Sequence, residues 1–246
     1  QQPFTFEGAP AYSFANTSVF AEHTVVSERQ AIPIPQSVPF ESACLIGCGV
    51  LTGVGAVLNR AKVTPGSRVA VFGIGGIGLN VLQGAALAGA AAVIAIDTNP
   101  RKESTARAFG ATEFVDASGG DAVDAVRKLA RGGVDFTFEC VGHPAVIRQA
   151  IDVLDWGGTC TILGVPARDA EASFVVSNLY NDKAILGCRY GSSRPHHDIP
   201  MLVSHLEQWD CATGWRVERD DSFIRRVSSR IANRVRNTVS DETVQD

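Results

Sequence analysis

The sequence predicts an α/β fold, a doubly wound parallel sheet with the remnant of a β-rich domain at its N-terminal side. Three observations predict it. Short apolar runs alternate with helix-length segments from residue 69 to residue 188. A glycine-rich turn, Gly73-Ile74-Gly75-Gly76-Ile77-Gly78, follows the first run, and Asp97 closes the second. A parallel strand covered on both faces reads as a continuous apolar run, and strand and helix repeating at this spacing give a sheet with helices on both sides.

Taken in order, residues 69–72 read as the first strand, 79–91 as a helix of small residues, and 92–96 as the second strand. Asn99-Pro100 is a helix start, with Pro in the first turn, and Gly110 a stop. Residues 112–115 read as a strand, 121–131 as a helix closed by Gly132-Gly133, and 134–141 as the next strand. His143-Pro144 opens a helix to about residue 155, which Trp156-Gly157-Gly158 breaks; 159–165 and 184–188 are further strands. His196-His197 beside Pro195 reads as a solvated loop. Ahead of this core, 1–47 carries five prolines and short β-type pieces at 18–20 and 23–26, too little for a core of its own. After residue 210 seven arginines fall among few apolar residues. The division expected is a partial catalytic block at 1–49, a nucleotide-binding domain at 50–191, and a helix with an Arg-rich tail at 192–246.

Composition narrows the function classes. The 246 residues are 45% hydrophobic and 20% charged, with a net charge of −4, so no basic field draws the chain to nucleic acid or an anionic membrane surface. Acids interleave with the tail arginines, which fits a solvated tail. Residues 69–96 hold no charged side chain and are long enough to span a bilayer, but the glycine turn and two amides, Asn80 and Gln83, divide them into strand, turn, helix and strand. No membrane association is expected. Six cysteines without a CxxC pair point to thiols in a reducing compartment, hence a cytoplasmic protein. The opening Gln1-Gln2-Pro3 is no signal peptide, and the sole methionine is Met201, which raises the expectation of a processed chain or a fragment.

The motif Gly73-x-Gly75-x-x-Gly78 stands where a dinucleotide site needs it, between a strand and a helix, with an acid at the end of the following strand. Gly73 allows the tight turn, Gly75 lets the backbone approach a pyrophosphate, and Gly78 lets helix and strand pack closely. The helix start, with Gly76 and Ile77, offers N–H groups to the phosphates. Asp97 suits the two ribose hydroxyls, and Thr98 after it brings no cation for a 2′-phosphate. The expectation is a Rossmann domain that binds NAD rather than NADP.

Residues 43–49 (ACLIGCG), Thr52-Gly53 and 61–67 (AKVTPGS), running into this motif, resemble the zinc-type alcohol dehydrogenases of the medium-chain family. The likeness continues through FANTSVFAEHTVV at 14–26, FGATEFV at 109–115, GVDFTFECVG at 133–142 and Gly164-Val165-Pro166. The resemblance implies Cys48 as a catalytic zinc ligand and Thr52 beside the nicotinamide. It implies Leu163, Cys188 and Tyr190 as backbone partners of the carboxamide, Lys102 near the adenosine ribose, and Phe14 in the substrate pocket. Val141, inside the matched 133–142 stretch, joins the cofactor-binding set. Zinc would then polarise the oxygen of an alcohol or aldehyde substrate while hydride passes to or from NAD. Family members pair through an edge strand, here within 172–190, which implies a possible homodimer.

The resemblance also implies two more zinc ligands and a four-Cys zinc loop, and both correspond to sequence ahead of residue 1; after about Trp209 the family's returning strands do not follow. Cys48 by itself is as well read as an inert thiol, because a catalytic zinc needs three protein ligands. Cys140, Cys160 and Cys188 read as small core residues, and His143 as a helix-start residue or a coenzyme contact. Two functions stay open: an NAD-dependent alcohol dehydrogenase, or a dinucleotide-binding module without turnover. A short-chain dehydrogenase would need Tyr-x-x-x-Lys, and Tyr180 and Lys183 are only three apart.

Overall fold

A computed structural model describes residues 4–12, 17, 19 and 22–206 of the chain. It starts with a small antiparallel hairpin, β1 (Phe4–Phe6) and β2 (Ala9–Ala11), turning at Glu7 and Gly8, both with positive φ. The β-type piece expected at 23–26 is not a strand: it pairs with nothing among the described residues, and Val25 is 96% exposed. Residues 18 and 20 of the other piece lie outside the described residues.

A long helix that the sequence did not announce comes next, α1 (Phe40–Ala61). Two π-helical stretches, Ile46–Val50 and Ala56–Ala61, interrupt its α-helical pitch. By length and composition α1 is the one helix among the described residues apolar enough to cross a membrane, and half of its most apolar window is buried inside the fold. Its small residues explain that burial. A Cβ at Gly53 would stand 2.6 Å from the Asn80 Cβ, so the two helix backbones meet directly.

The sheet and its helices follow in chain order: β3 (Arg68–Phe72), α2 (Gly76–Leu87), β4 (Ala92–Asp97), α3 (Glu103–Ala108), β5 (Glu113–Asp116), α4 (Val123–Leu129), β6 (Val134–Glu139), α5 (Pro144–Asp152), β7 (Leu154–Ile162) and β8 (Ala184–Gly187). The six strands are all parallel, in the order β5-β4-β3-β6-β7-β8. This is the expected Rossmann arrangement, and the winding reverses between β3 and β6. Alternation along β3 divides the core: Val69 and Val71 pack beneath α2 with Phe138, and Ala70 and Phe72 pack on the other face with Val126 and Ile151. The apolar stretch at 69–96 thus resolves into buried strand, turn, helix and strand.

Two expectations fail here for local reasons. The helix after Pro144 ends at Asp152, and Trp156-Gly157-Gly158 lies inside β7. Register jumps from Val134↔Leu154 to Phe136↔Thr159, so the extra residues bulge out, with Gly157 at positive φ and Trp156 exposed. His196 and His197 are not in a loop but in α6 (Pro195–Leu206). That helix is tied down by buried Asp198, whose Oδ2 accepts from Asn59 Nδ2 at 2.9 Å and from the Arg194 N–H at 2.8 Å. Burial works against the Asp198 charge, yet Arg194, His197 and Asn59 together hold its carboxyl below the usual range.

Candidate functional site

The crevice at the reversal of strand order is where an open α/β sheet takes its ligand. The first glycine turn lines it. Gly73 has φ 89°, and a Cβ there would come 2.5 Å from the Val141 Cγ2 across the crevice. A Cβ on Gly78 would lie 2.0 Å from the Gly73 carbonyl oxygen, so only glycine fits where helix crosses strand. Gly75 caps α2, and a Cβ on Gly75 or Gly76 would meet nothing within 4 Å. The space over the first turn of a twelve-residue helix is therefore open, with N–H groups and the positive end of the helix dipole directed into it. A diphosphate fits this cradle.

Asp97 stands at the end of β4, 8% exposed, and does more than await a ribose. Its Oδ2 accepts from the Ile74 N–H at 2.7 Å and from Lys102 Nζ at 2.8 Å, and Oδ1 accepts from the Asn99 N–H at 2.9 Å. It thereby fastens the glycine turn to the end of the neighbouring strand. A carboxylate accepts at about four sites, so one remains for a hydroxyl donor. The structure brings Lys102 to the same point as Asp97.

Across the crevice, Val141 is half-exposed, and Leu163 is buried with its N–H on the Glu139 carbonyl at 2.8 Å. The Cys188 N–H bonds the Ile162 carbonyl, so its backbone continues the β8 pairing beyond the strand. Tyr190 opens a turn, Tyr190–Ser192, and the Arg189 guanidinium lies over its ring at 5.7 Å. This turn packs on α1, where a Cβ at Gly55 would stand 2.7 Å from the Gly191 carbonyl oxygen. Buried Thr52, three residues before Gly55, is thus placed on the element that the 190–192 turn packs against.

The metal expectation fares differently. Cys48 lies exposed on the first π-helical stretch of α1, and Cys44, one turn before it, gives its thiol to the Glu41 carbonyl at 3.2 Å. Among the described residues no three His, Cys, Asp or Glu side chains are grouped as a metal requires. One thiolate does not satisfy zinc, so the described residues do not fit that ion. Phe14 lies outside the described residues. Cys160 is buried in β7, where burial pushes its thiol up to about 11. Cys140 and Cys188 sit just past strand ends, half-buried, and burial raises both thiols too. His143 is a helix-start residue: it caps α5, its Nδ1 accepting from the Ala145 N–H at 3.2 Å.

One site residue escaped the sequence reading. Glu139, at the end of β6, is fully buried, and its Oε1 accepts from the N–H groups of Val141 and Gly142. The signal was an acid inside the apolar run Phe136-Thr137-Phe138-Glu139-Cys140-Val141.

Known proteins place this geometry. The family described as zinc-binding dehydrogenase matches residues 76–208. The chain is 40% identical over 203 residues to the class-3 alcohol dehydrogenase of Pisum sativum, covering 81% of this chain and 54% of that protein. It is equally similar to an Escherichia coli S-(hydroxymethyl)glutathione dehydrogenase, 40% over 210 residues, with 84% of this chain and 57% of the relative covered. Among solved structures, an alcohol dehydrogenase zinc-binding domain protein from Burkholderia ambifaria superposes with a TM-score of 0.78 at 38% identity, over 82% of this chain and 55% of that one. The chain thus spans about half the length of the relatives it matches. With more than half of its residues matched and relatives at this identity, the chain belongs to the zinc-binding, medium-chain family of alcohol dehydrogenases.

Proposed function

We propose that this chain is the coenzyme-binding half of an NAD-dependent alcohol dehydrogenase. The observation that carries the reading is the open cradle over Gly75 and Gly76, with Asp97 locked beside it. The N–H groups of Gly75, Gly76 and Ile77 would hold the pyrophosphate, and Asp97 with Lys102 the adenosine ribose. Val141 would wall the crevice. The backbone of Leu163, Cys188 and Tyr190 would orient the carboxamide, with Thr52 behind the ring. Bound NAD supplies a hydride acceptor at the nicotinamide, and an alcohol or aldehyde is the substrate class that fits the family. Thr98 carries no charge, and Lys102 is already committed to Asp97, so NAD is favoured over NADP.

The same reading divides the chain into 1–49, catalytic; 50–191, coenzyme-binding; and 192–246, helix and tail. It makes the protein cytoplasmic and acting on small molecules rather than on nucleic acid or membrane. The β8 edge, flanked by exposed Val176 and Tyr180, offers a homodimer contact. A second reading, a binding module without turnover, is favoured by exposed Cys48, which has no grouped ligands around it among the described residues.

Titration of the purified chain with NADH and NADPH, followed by nicotinamide fluorescence, tests the first reading. Saturable NADH binding with NADPH at least about tenfold weaker is expected, since a 2′-phosphate would meet the Asp97 carboxylate. Binding of neither coenzyme overturns it. Alcohol-dependent reduction of NAD with added zinc would overturn the module reading.

A further inference from the structure

Glu139 closes the central strand β6 with its side chain wholly out of water, and no role given above accounts for it. A buried carboxyl is costly unless hydrogen bonds offset the lost water. Here Oε1 accepts the N–H groups of Val141 and Gly142, each at 2.8 Å, and Oε2 has no partner. Burial pushes its pKa up, against the pull of those N–H groups and, more weakly, of His143. Its main-chain carbonyl is equally engaged, accepting the N–H of Leu163 at 2.8 Å and of Gly164 at 2.9 Å. One residue therefore holds the turn after β6 by its side chain and the loop after β7 by its backbone.

Those two segments leave each other no slack. A Cβ on Gly164 would stand 2.0 Å from the Gly142 nitrogen, and one on Gly142 would stand 2.7 Å from the Val165 carbonyl carbon. A displacement of the 141–142 turn must push the 163–165 loop with it. The same turn carries Val141 over Gly73, so it also sets the width of the crevice.

We propose that Glu139 is a positioning residue for the dinucleotide, its carboxyl holding the 141–142 turn and, through Gly142 and Gly164, the 163–165 loop against the coenzyme. The inference rests on the coenzyme reading above. What the position needs is an acceptor for two N–H groups, more than a charge or a volume. Glutamine keeps that acceptor, and methionine fills the space without it.

The 246-residue chain with Glu139→Gln and with Glu139→Met is titrated with NADH, and thermal unfolding is followed in parallel. Glu139→Gln should bind NADH within about threefold of the parent chain. Glu139→Met, folded at the assay temperature, should bind about tenfold or more weakly, the equivalent of one lost acceptor for buried N–H donors. A folded methionine variant that binds as tightly as the parent, or two variants equally weakened, overturns the proposal. If Glu139→Met does not fold, amide exchange in the parent chain decides. The Val141 and Gly142 amides should exchange slowly without coenzyme and more slowly with NADH; no change on adding NADH overturns the proposal. A parent chain that binds neither NADH nor NADPH overturns the coenzyme reading, and this inference with it.

Discussion

The two ends of the central strands, the N-terminal and the C-terminal edge, handle buried and half-buried carboxylates in opposite ways. At the N-terminal edge, Arg68 binds Asp135 through Nη2 at 2.7 Å and Asp155 at 3.0 Å, and its N–H adds a bond to Asp135 Oδ2 at 2.7 Å. Opposite charges there hold both carboxyls below their usual range, with the Arg68 hydrogen bonds as the main cause, and raise the guanidinium in return. At the C-terminal edge, no Lys or Arg pairs with Glu139 among the described residues; backbone N–H groups of a loop are its main partners, His143 adds a weaker pull, and burial drives its pKa the other way. An ion network that grips strands adds stability and little else. A carboxyl that grips loops fixes where a ligand sits, even at a cost in stability. The comparison can be broken or sharpened by substitutions at each edge.

The largest effect belongs to the C-terminal edge. Gly78→Ala would drive a methyl against the Gly73 carbonyl, a backbone atom with nowhere to go. A loss of about 3 kcal/mol or more in unfolding free energy is expected from such overpacking, together with loss of NADH binding. Denaturant unfolding measures the first and fluorescence titration the second. A variant that keeps both would mean that helix and strand sit further apart than described. Next comes Arg68→Ala at the other edge. Because Arg68 and its partners are about a third exposed, a loss of only about 1 kcal/mol is expected. NADH affinity should stay within about twofold, since no loop of the crevice hangs from this cluster. An equal loss of affinity would erase the contrast between the edges.

What the sequence disclosed follows the same physical division. β3 and β4 were legible because strands covered on both faces are apolar throughout, and the glycine turn because Gly73 and Gly78 answer steric demands while Gly75 and Gly76 leave the space over the helix start open. The start of β7 was not, since Trp156-Gly157-Gly158 looks like a helix breaker when it is a bulge on a strand. Nor was α1 legible. Its glycines at 47, 49, 53 and 55 argue against a helix locally, and only the close approach to α2 and to the 190–192 turn explains two of them. Asp97 was found by its place at the end of β4, but its bond to the Ile74 N–H depends on how two strands sit side by side. Glu139 could be noticed in a strand, yet its task is set by loops that the pattern of residues does not place.

The pH dependence of stability separates the edges more finely. Asp135 and Asp155 have lowered pKa values in the folded chain, so their stabilisation is full above the usual carboxylate range near pH 4 and is lost as pH falls through the lowered folded values. Glu139 has the opposite sign. Its folded pKa lies above the unfolded one, so its contribution is greatest below about pH 4 and declines as pH rises through the folded value. Glu139→Gln removes that titration. The stability of the variant relative to the parent should therefore climb as pH rises from about 4 through the folded value of Glu139. Arg68→Ala should instead shallow the acid limb below pH 4. Unfolding midpoints of the three chains at a series of pH values read both trends; a Glu139→Gln difference that is flat with pH would show that the buried carboxyl does not titrate out of step with the unfolded chain.

The smallest effect concerns the thiols, and it bears on how much of the family's chemistry these residues retain. Cys44 and Cys48 are exposed on α1, whereas Cys160 is buried in β7 with its thiol pushed up to about 11. Of these three thiols, only Cys44 and Cys48 are exposed to a reagent in water. A maleimide followed by peptide mapping should label Cys44 and Cys48 in the native chain within minutes and leave Cys160 unlabelled until denaturation. Zinc held at Cys48 would protect it, so labelling with and without added zinc gives a direct reading of occupancy, independent of turnover. Equal labelling in both conditions would fit a thiol without grouped ligands; selective protection of Cys48 would show that ligands from outside the described residues complete a site there. Either result leaves the crevice between β3 and β6 unchanged, because nothing in its cradle depends on Cys48.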